Sequence, residues 1–202
     1  MRVKTPSAGG PYSISFNDGE ETIVDNVLIG EVWLCLGQSN MVMPMKGFKS
    51  QPVEGATEFI VRAKPSCPIR ICDIKRSTGF TEAETCRASW RTHTPETVSR
   101  TSATAYFFAL KLQETLEVPV GIIISAWGGS KIEAWMSRET LEAGFASEVD
   151  LAFLDTETQP AKLPYAPTML YNGMLGPVKN FGIKGVTWYQ GCSNKGDAEL
   201  YS

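Results

Sequence analysis

A chain of 202 residues with 43% apolar content is long enough to bury one full core, so a single main domain is expected, together with a piece of another. A formal charge of -3, from 19 basic and 22 acidic residues, leaves no basic footprint and argues against nucleic acid or an anionic membrane surface as partners. The longest apolar run, around Val118 to Trp127, is roughly half of what a bilayer requires, and Met1-Arg2-Val3-Lys4 leads into no apolar signal segment, so neither a span nor a secretion signal is expected.

In chain order, Tyr12, Ile14 and Phe16 alternate with polar residues, Asn17-Asp18-Gly19 turns the chain, and Val24, Val27 and Ile29 resume the pattern. This predicts a hairpin. A lone hairpin is marginal in water, which suggests the edge of a β domain otherwise outside this chain. The expected boundary lies near Gly30, giving residues 1–29 to the hairpin and 30–202 to the main domain. Val32 to Leu36 is then a short, nearly continuous apolar run, as a strand buried on both faces requires, and it stops at Gly37-Gln38-Ser39-Asn40.

Pro- and Gly-punctuated sequence follows through Ser66, and a second strand is predicted over Ile69 to Ile74. Ala105, Phe108, Ala109, Leu112 and Leu116 recur at helical spacing, predicting an amphipathic helix over Ser102 to Glu117 that Pro119 ends. A third strand over Val120 to Ala126 turns at Trp127-Gly128-Gly129-Ser130. Helices are expected from Ser137 to Gly144 and from Thr168 to Lys179, with loop between. The last strand, Ile183 to Tyr189, runs into Gln190-Gly191-Cys192-Ser193-Asn194. Alternating strands and helices are the grammar of a parallel α/β sheet, whose carboxyl-end loops gather along one edge.

Five cysteines follow no CxxC rhythm, and the sequence has a single histidine, so a zinc site is not expected. Cys67 to Cys72, or either one to Cys86, could pair in an oxidising compartment. Mostly buried free thiols are the simpler reading.

Three strand ends therefore bring Gln-Ser-Asn, Gly-Gly-Ser and Gln-Gly-Cys-Ser-Asn to one crevice. Ester hydrolysis through a covalent intermediate needs a reachable hydroxyl and donors aimed at the developing oxyanion. Ser39 is the candidate nucleophile. The backbone N–H groups of Ser39 and of Gly129 or Gly128, with a side-chain amide of Gln190 or Asn194, are the candidate donors, each worth roughly 3 kcal/mol of barrier. Taken singly, each stretch is more often an ordinary turn or loop cap; their joint occurrence is what points to chemistry.

The segments Gly30 to Met45, Val118 to Ser137 and Tyr171 to Asn194 closely resemble the sialate O-acetylesterase family of the SGNH hydrolase superfamily. That resemblance implies a three-layer α/β/α esterase removing O-acetyl groups from sialic acid or related sugars, without metal or organic cofactor. It implies Ser39 as nucleophile, Gly129 beside Gly128 as the glycine block, and Gln190, rather than Asn194, as the amide donor. Gln38, Asn40, Trp127 and Gly128 are expected to line the substrate, and the family's habits suggest a secreted, periplasmic or lysosomal setting. Two positions depart from the pattern: Leu36 stands where serine is common, and Cys192 replaces the usual glutamate.

A serine needs a positioned base, normally a histidine oriented by a carboxylate. His93 lies in a loop far in sequence from the three strand ends, and the family's Asp-x-x-His belongs downstream of Ser202. The expectation is a domain incomplete at its C-terminus, being a fragment, one half of a cleaved two-chain protein or a product missing its C-terminal part, with base and orienter outside this chain (on a companion polypeptide in the two-chain case) and a chain poorly active by itself. Cys192 as a thiol nucleophile lacks an identifiable activating group. Trp127, Trp135 and Trp188 could stack on sugar, though packing is the commoner role. Lys131, Glu133 and Arg138 could meet a sialic carboxylate or hydroxyl, with solvated helix-start charges as the simpler reading. The rival function is a non-catalytic carbohydrate-binding or scaffold protein on a degenerate hydrolase fold.

Overall fold

The computed structural model describes residues 4–201. It opens with the expected hairpin, β1 (Gly9–Asn17) antiparallel to β2 (Glu21–Ile29). The Gly19 N–H donates to Asn17 Oδ1 at 3.0 Å and closes the turn. The pair forms a two-stranded sheet of its own, with Ile14, Phe16, Ile23 and Val24 exposed. An Arg70 Nη2–H donates to Asn26 Oδ1 and ties the hairpin to the body.

The rest of the chain builds one sheet with helices on both faces. Its elements in order are β3 (Glu31–Gly37), α1 (Ser39–Val42), α2 (Ala56–Arg62), β4 (Ile69–Asp73), β5 (Trp90–Thr92), α3 (Pro95–Arg100), α4 (Ala103–Leu116), β6 (Val120–Ala126), α5 (Arg138–Gly144), α6 (Ala152–Asp155) and β7 (Gly185–Tyr189). The strand order is β5-β4-β6-β3-β7, parallel except for β5 at one edge. The continuous apolar runs in β3 and β6 are explained by this order, because both strands lie inside the sheet and are covered on both faces.

One face packs Cys35, Ile71, Ile122 and Ile124 against Ala105, Tyr106 and Ala109 of α4. The other packs Leu34, Leu36, Cys72 and Ile123 against Trp135, Leu170 and Met174. This is the expected three-layer α/β/α arrangement. Helix α4 begins where Ser102 Oγ accepts from the Ala105 N–H, and it ends with Glu117 in the left-handed conformation. Its buried stripe differs from the expected one, since Tyr106 joins Ala105 and Ala109 while Leu116 stays exposed.

One other expectation changes in form. The helix expected over Thr168 to Lys179 is present but irregular: Met169 and Leu170 open it, a π-turn over Tyr171–Leu175 follows, and a 3-10 turn over Gly176–Val178 ends it. The glycines explain the irregularity, because Gly173 lies against the Ser77 and Thr78 backbone and Gly176 against the Glu82 side chain, with no room for a Cβ at either. All five cysteines are free thiols: Cys35 and Cys72 are buried, Cys67 and Cys86 partly so, and Cys192 exposed.

Candidate active site

Strand β3 lies between β6 and β7, and Gly37, its last residue, pairs with Ala126 on one side and Tyr189 on the other. The three loops therefore leave adjacent strands at one level. Two hydrogen bonds carry the ladder past the strand ends: Trp127 N–H to Gly37 O and Gln38 N–H to Tyr189 O, both 3.0 Å. Gly37 has φ +149 and lies against the Tyr189 carbonyl, where any Cβ would collide. Only glycine permits that approach.

Immediately after this turn, Ser39 opens α1 and is exposed, while Met41 beneath it is buried and anchors the turn. Ser39 Oγ has no hydrogen-bond partner among the described residues. A Cβ added to Gly128 would lie 3.4 Å from that oxygen, so the backbone of the β6 loop passes beside the hydroxyl. Gly129 has φ +77 and faces open space. The backbone N–H groups of Ser39, Gly128 and Gly129 make no hydrogen bond among the described residues. A reachable hydroxyl and uncommitted donors thus share one small region, as acyl transfer requires.

The amide side chains behave differently. Gln38, expected to line the substrate, is 6% exposed, and its Oε1 accepts from the N–H groups of Gly191 (3.1 Å) and Ser193 (3.4 Å), so it holds the β7 loop. Gln190 donates through Nε2 to Ser130 O at 2.9 Å and to Asn194 Oδ1 at 2.7 Å. Asn194, 2% exposed, accepts at Oδ1 from the Ile132 N–H and donates from Nδ2 to Glu133 Oε2. Asn40 is exposed beside Ser39, and its carbonyl accepts from Thr104 Oγ1–H.

The aromatic and charged candidates are mostly structural. Trp127 packs partly on the second core, with the Arg76 guanidinium 5.4 Å above its ring. Trp135 is buried and donates from Nε1 to Ser130 Oγ, while Trp188 donates to the Tyr201 hydroxyl. Arg138 is paired with Glu142 and Asp155, and Lys131 fixes its loop through a backbone bond to Pro164 O.

His93 lies in the α4 layer, buried, with Nε2 3.0 Å from the Tyr106 hydroxyl and Nδ1 3.2 Å from the Lys64 backbone. Desolvation holds its pKa below the ordinary imidazole value. It is a satisfied core histidine. Under the serine loop, burial pushes the Cys35 thiol up to about 11, which keeps it protonated and unreactive. Among the described residues no group of three His, Cys, Asp or Glu could hold a metal ion, and no helix is long and apolar enough to cross a membrane.

The structure brings Ser39 and the Gly128 backbone together, as their strand-end positions led one to expect, whereas the loop-bracing contacts of Gln38 and Glu133 were not anticipated. The available signal was the density of amides in the β7 loop, which needs internal partners if it is not to contact ligand.

A family model described as carbohydrate esterase, sialic acid-specific acetylesterase, matches residues 29–202. The chain belongs to this family. Curated relatives include the sialate O-acetylesterases of Pongo abelii and Homo sapiens, each 34% identical over 92% of the chain, and that of Rattus norvegicus, 30% identical over 96%. The chain spans 36% of the length of the first two and 42% of the third. Among solved structures, a carbohydrate acetylesterase from Xanthomonas citri superposes with a TM-score of 0.81 at 33% identity, covering 96% of this chain and 40% of that one. The esterase-family match begins at Ile29, the last residue of β2.

Proposed function

We propose that this chain carries the nucleophile half of an esterase that removes O-acetyl groups from sialic acid or related acetylated sugars. The observation that carries this reading is the exposed Ser39 just past the end of β3, whose last residue Gly37 is in register with both β6 and β7, with the Gly128 backbone against its hydroxyl.

Ser39 Oγ attacks the acetyl carbonyl as its proton passes to a base. The carbonyl oxygen becomes an oxyanion, and the N–H groups of Ser39 and of the Gly128–Gly129 pair are the donors best placed to stabilise it. Cleavage of the acyl–oxygen bond releases the sugar hydroxyl, which takes the proton back from the base. Water then attacks the acetyl-serine, and acetate and free Ser39 result.

The base and its orienting carboxylate come from a polypeptide outside this chain, in the Asp-x-x-His arrangement implied by the family resemblance. Supporting this, the sequence has one histidine, and that residue is buried with its ring nitrogens engaged. No metal or organic cofactor enters the scheme. The exposed β7 edge next to Ser39 is where such a segment would pack, just as the exposed hairpin suits a preceding β domain, with residues 1–29 and 30–202 as the two units.

Full-length protein should release acetate from O-acetylated sialic acid, and Ser39→Ala should abolish release. A correctly folded, full-length protein that binds the sugar but releases no acetate would instead favour a non-catalytic carbohydrate-binding role.

A further inference from the structure

The side chains bracing the three loops form one directed chain of hydrogen bonds, anchored by groups whose polarity cannot reverse. The Ile132 N–H can only donate, and the Glu133 carboxylate can only accept. The Asn194 amide lies between them, Oδ1 3.0 Å from Ile132 N and Nδ2 2.9 Å from Glu133 Oε2. Turned over, it would set donor against donor and acceptor against acceptor. Its fixed Oδ1 in turn fixes Gln190, whose two Nε2 hydrogens are both used, on Asn194 Oδ1 and Ser130 O. Gln190 Oε1 is left buried and without a partner. Ser130 directly follows Gly129, so the last link holds the glycine turn.

We infer that Glu133 is a positioning residue: through Asn194 it sets the orientation of Gln190, which clamps the Ser130 carbonyl and with it the Gly128–Gly129 turn beside Ser39. The effect on rate rests on the esterase reading, whereas the orientation of the amides does not. Gln190 is then a brace of the oxyanion turn rather than one of its donors, because a third acceptor would displace one of the bonds that holds the turn.

The test uses full-length protein and aryl acetate. Glu133→Gln keeps an acceptor for Asn194 Nδ2, and its kcat stays within about threefold of wild type. Asn194→Asp sets two carboxylates face to face and releases the turn, lowering kcat about 10- to 100-fold with a smaller change in KM. The double variant E133Q/N194D restores complementarity, since an amide at 133 donates to a carboxylate at 194 that still accepts from Ile132 and Gln190. It returns kcat to within about threefold of E133Q. A double variant as slow as N194D, or a loss confined to KM, overturns the inference.

Hydrogen exchange of the Gln190 side-chain amide, read by nitrogen-15 NMR, decides independently of turnover and of whether N194D folds. Protection in wild type and E133Q, lost in Glu133→Ala, is required; equal protection in all three overturns the brace. A wild type inert toward every acetyl ester would defeat the esterase reading alone, leaving the amide signal to decide this one.

Discussion

Ser39 Oγ and the Gly128 backbone border one small space, and the 3.4 Å left for a Cβ at Gly128 is ordinary contact. Gly128→Ala should therefore fold normally, with Tm within about 2 °C of wild type. Its methyl occupies room that an acetyl carbonyl needs, so kcat/KM for aryl acetate in the full-length protein should fall roughly a hundredfold. Equal activity in the alanine variant would show that the acetyl group binds elsewhere. Gly37→Ala should act oppositely, on the fold first, because its left-handed backbone and the Tyr189 carbonyl both exclude a side chain. A loss of at least about 1–3 kcal/mol in denaturant unfolding is expected. Ser39, Gly128 and Gly129 were legible as neighbours only because three strand ends of one parallel sheet carry small and amide residues together; singly, each stretch reads as an ordinary turn. Gln38, Glu133 and Asn194 were not, since an amide or carboxylate reads the same whether it faces ligand or a neighbouring loop. The Cys192 departure is clarified by the same contacts: its thiol is exposed, and the loop is held instead by Gln38 and Asn194.

Strands β3, β6 and β7 were predictable from their runs, α4 from the helical spacing of its apolar residues, and α5 from its start near Ser137. The short α2, α3 and β5 were not, because such brief segments are stabilised by tertiary contacts rather than local pattern. The stretch after Thr168 is helical but irregular, and Gly173 lies against the Ser77–Thr78 backbone while Gly176 lies against the Glu82 side chain. The packing of α4 carries a pH prediction through His93. Its folded pKa is depressed, so between that value and about 6.5 the unfolded chain binds more protons than the folded one. Stability present above about pH 6.5 should decline as pH falls through that window. Thermal melts from about pH 7 to pH 5 should show the decline, and His93→Gln should make it shallower. An unchanged slope in the variant would mean that other groups dominate acid unfolding.

Across the whole molecule, the sheet ends at β7, which pairs only with β3 among the described residues, and Val186, Trp188 and Tyr189 remain 50%, 38% and 48% exposed. An apolar, unpaired edge is an aggregation hazard unless covered. On the proposed account, polypeptide carrying the Asp-His pair covers it. The 202-residue chain alone should then turn over aryl acetate at least about a thousandfold more slowly than full-length protein, and adding that segment should restore the rate and slow exchange of the β7 amides. No gain on addition would argue for a degenerate enzyme. The most direct test of the central claim is treatment of full-length protein with a fluorophosphonate, followed by peptide mass spectrometry. The account predicts one adduct per chain, on Ser39, absent from Ser39→Ala; an unmodified Ser39 in protein that still hydrolyses acetyl esters would contradict it.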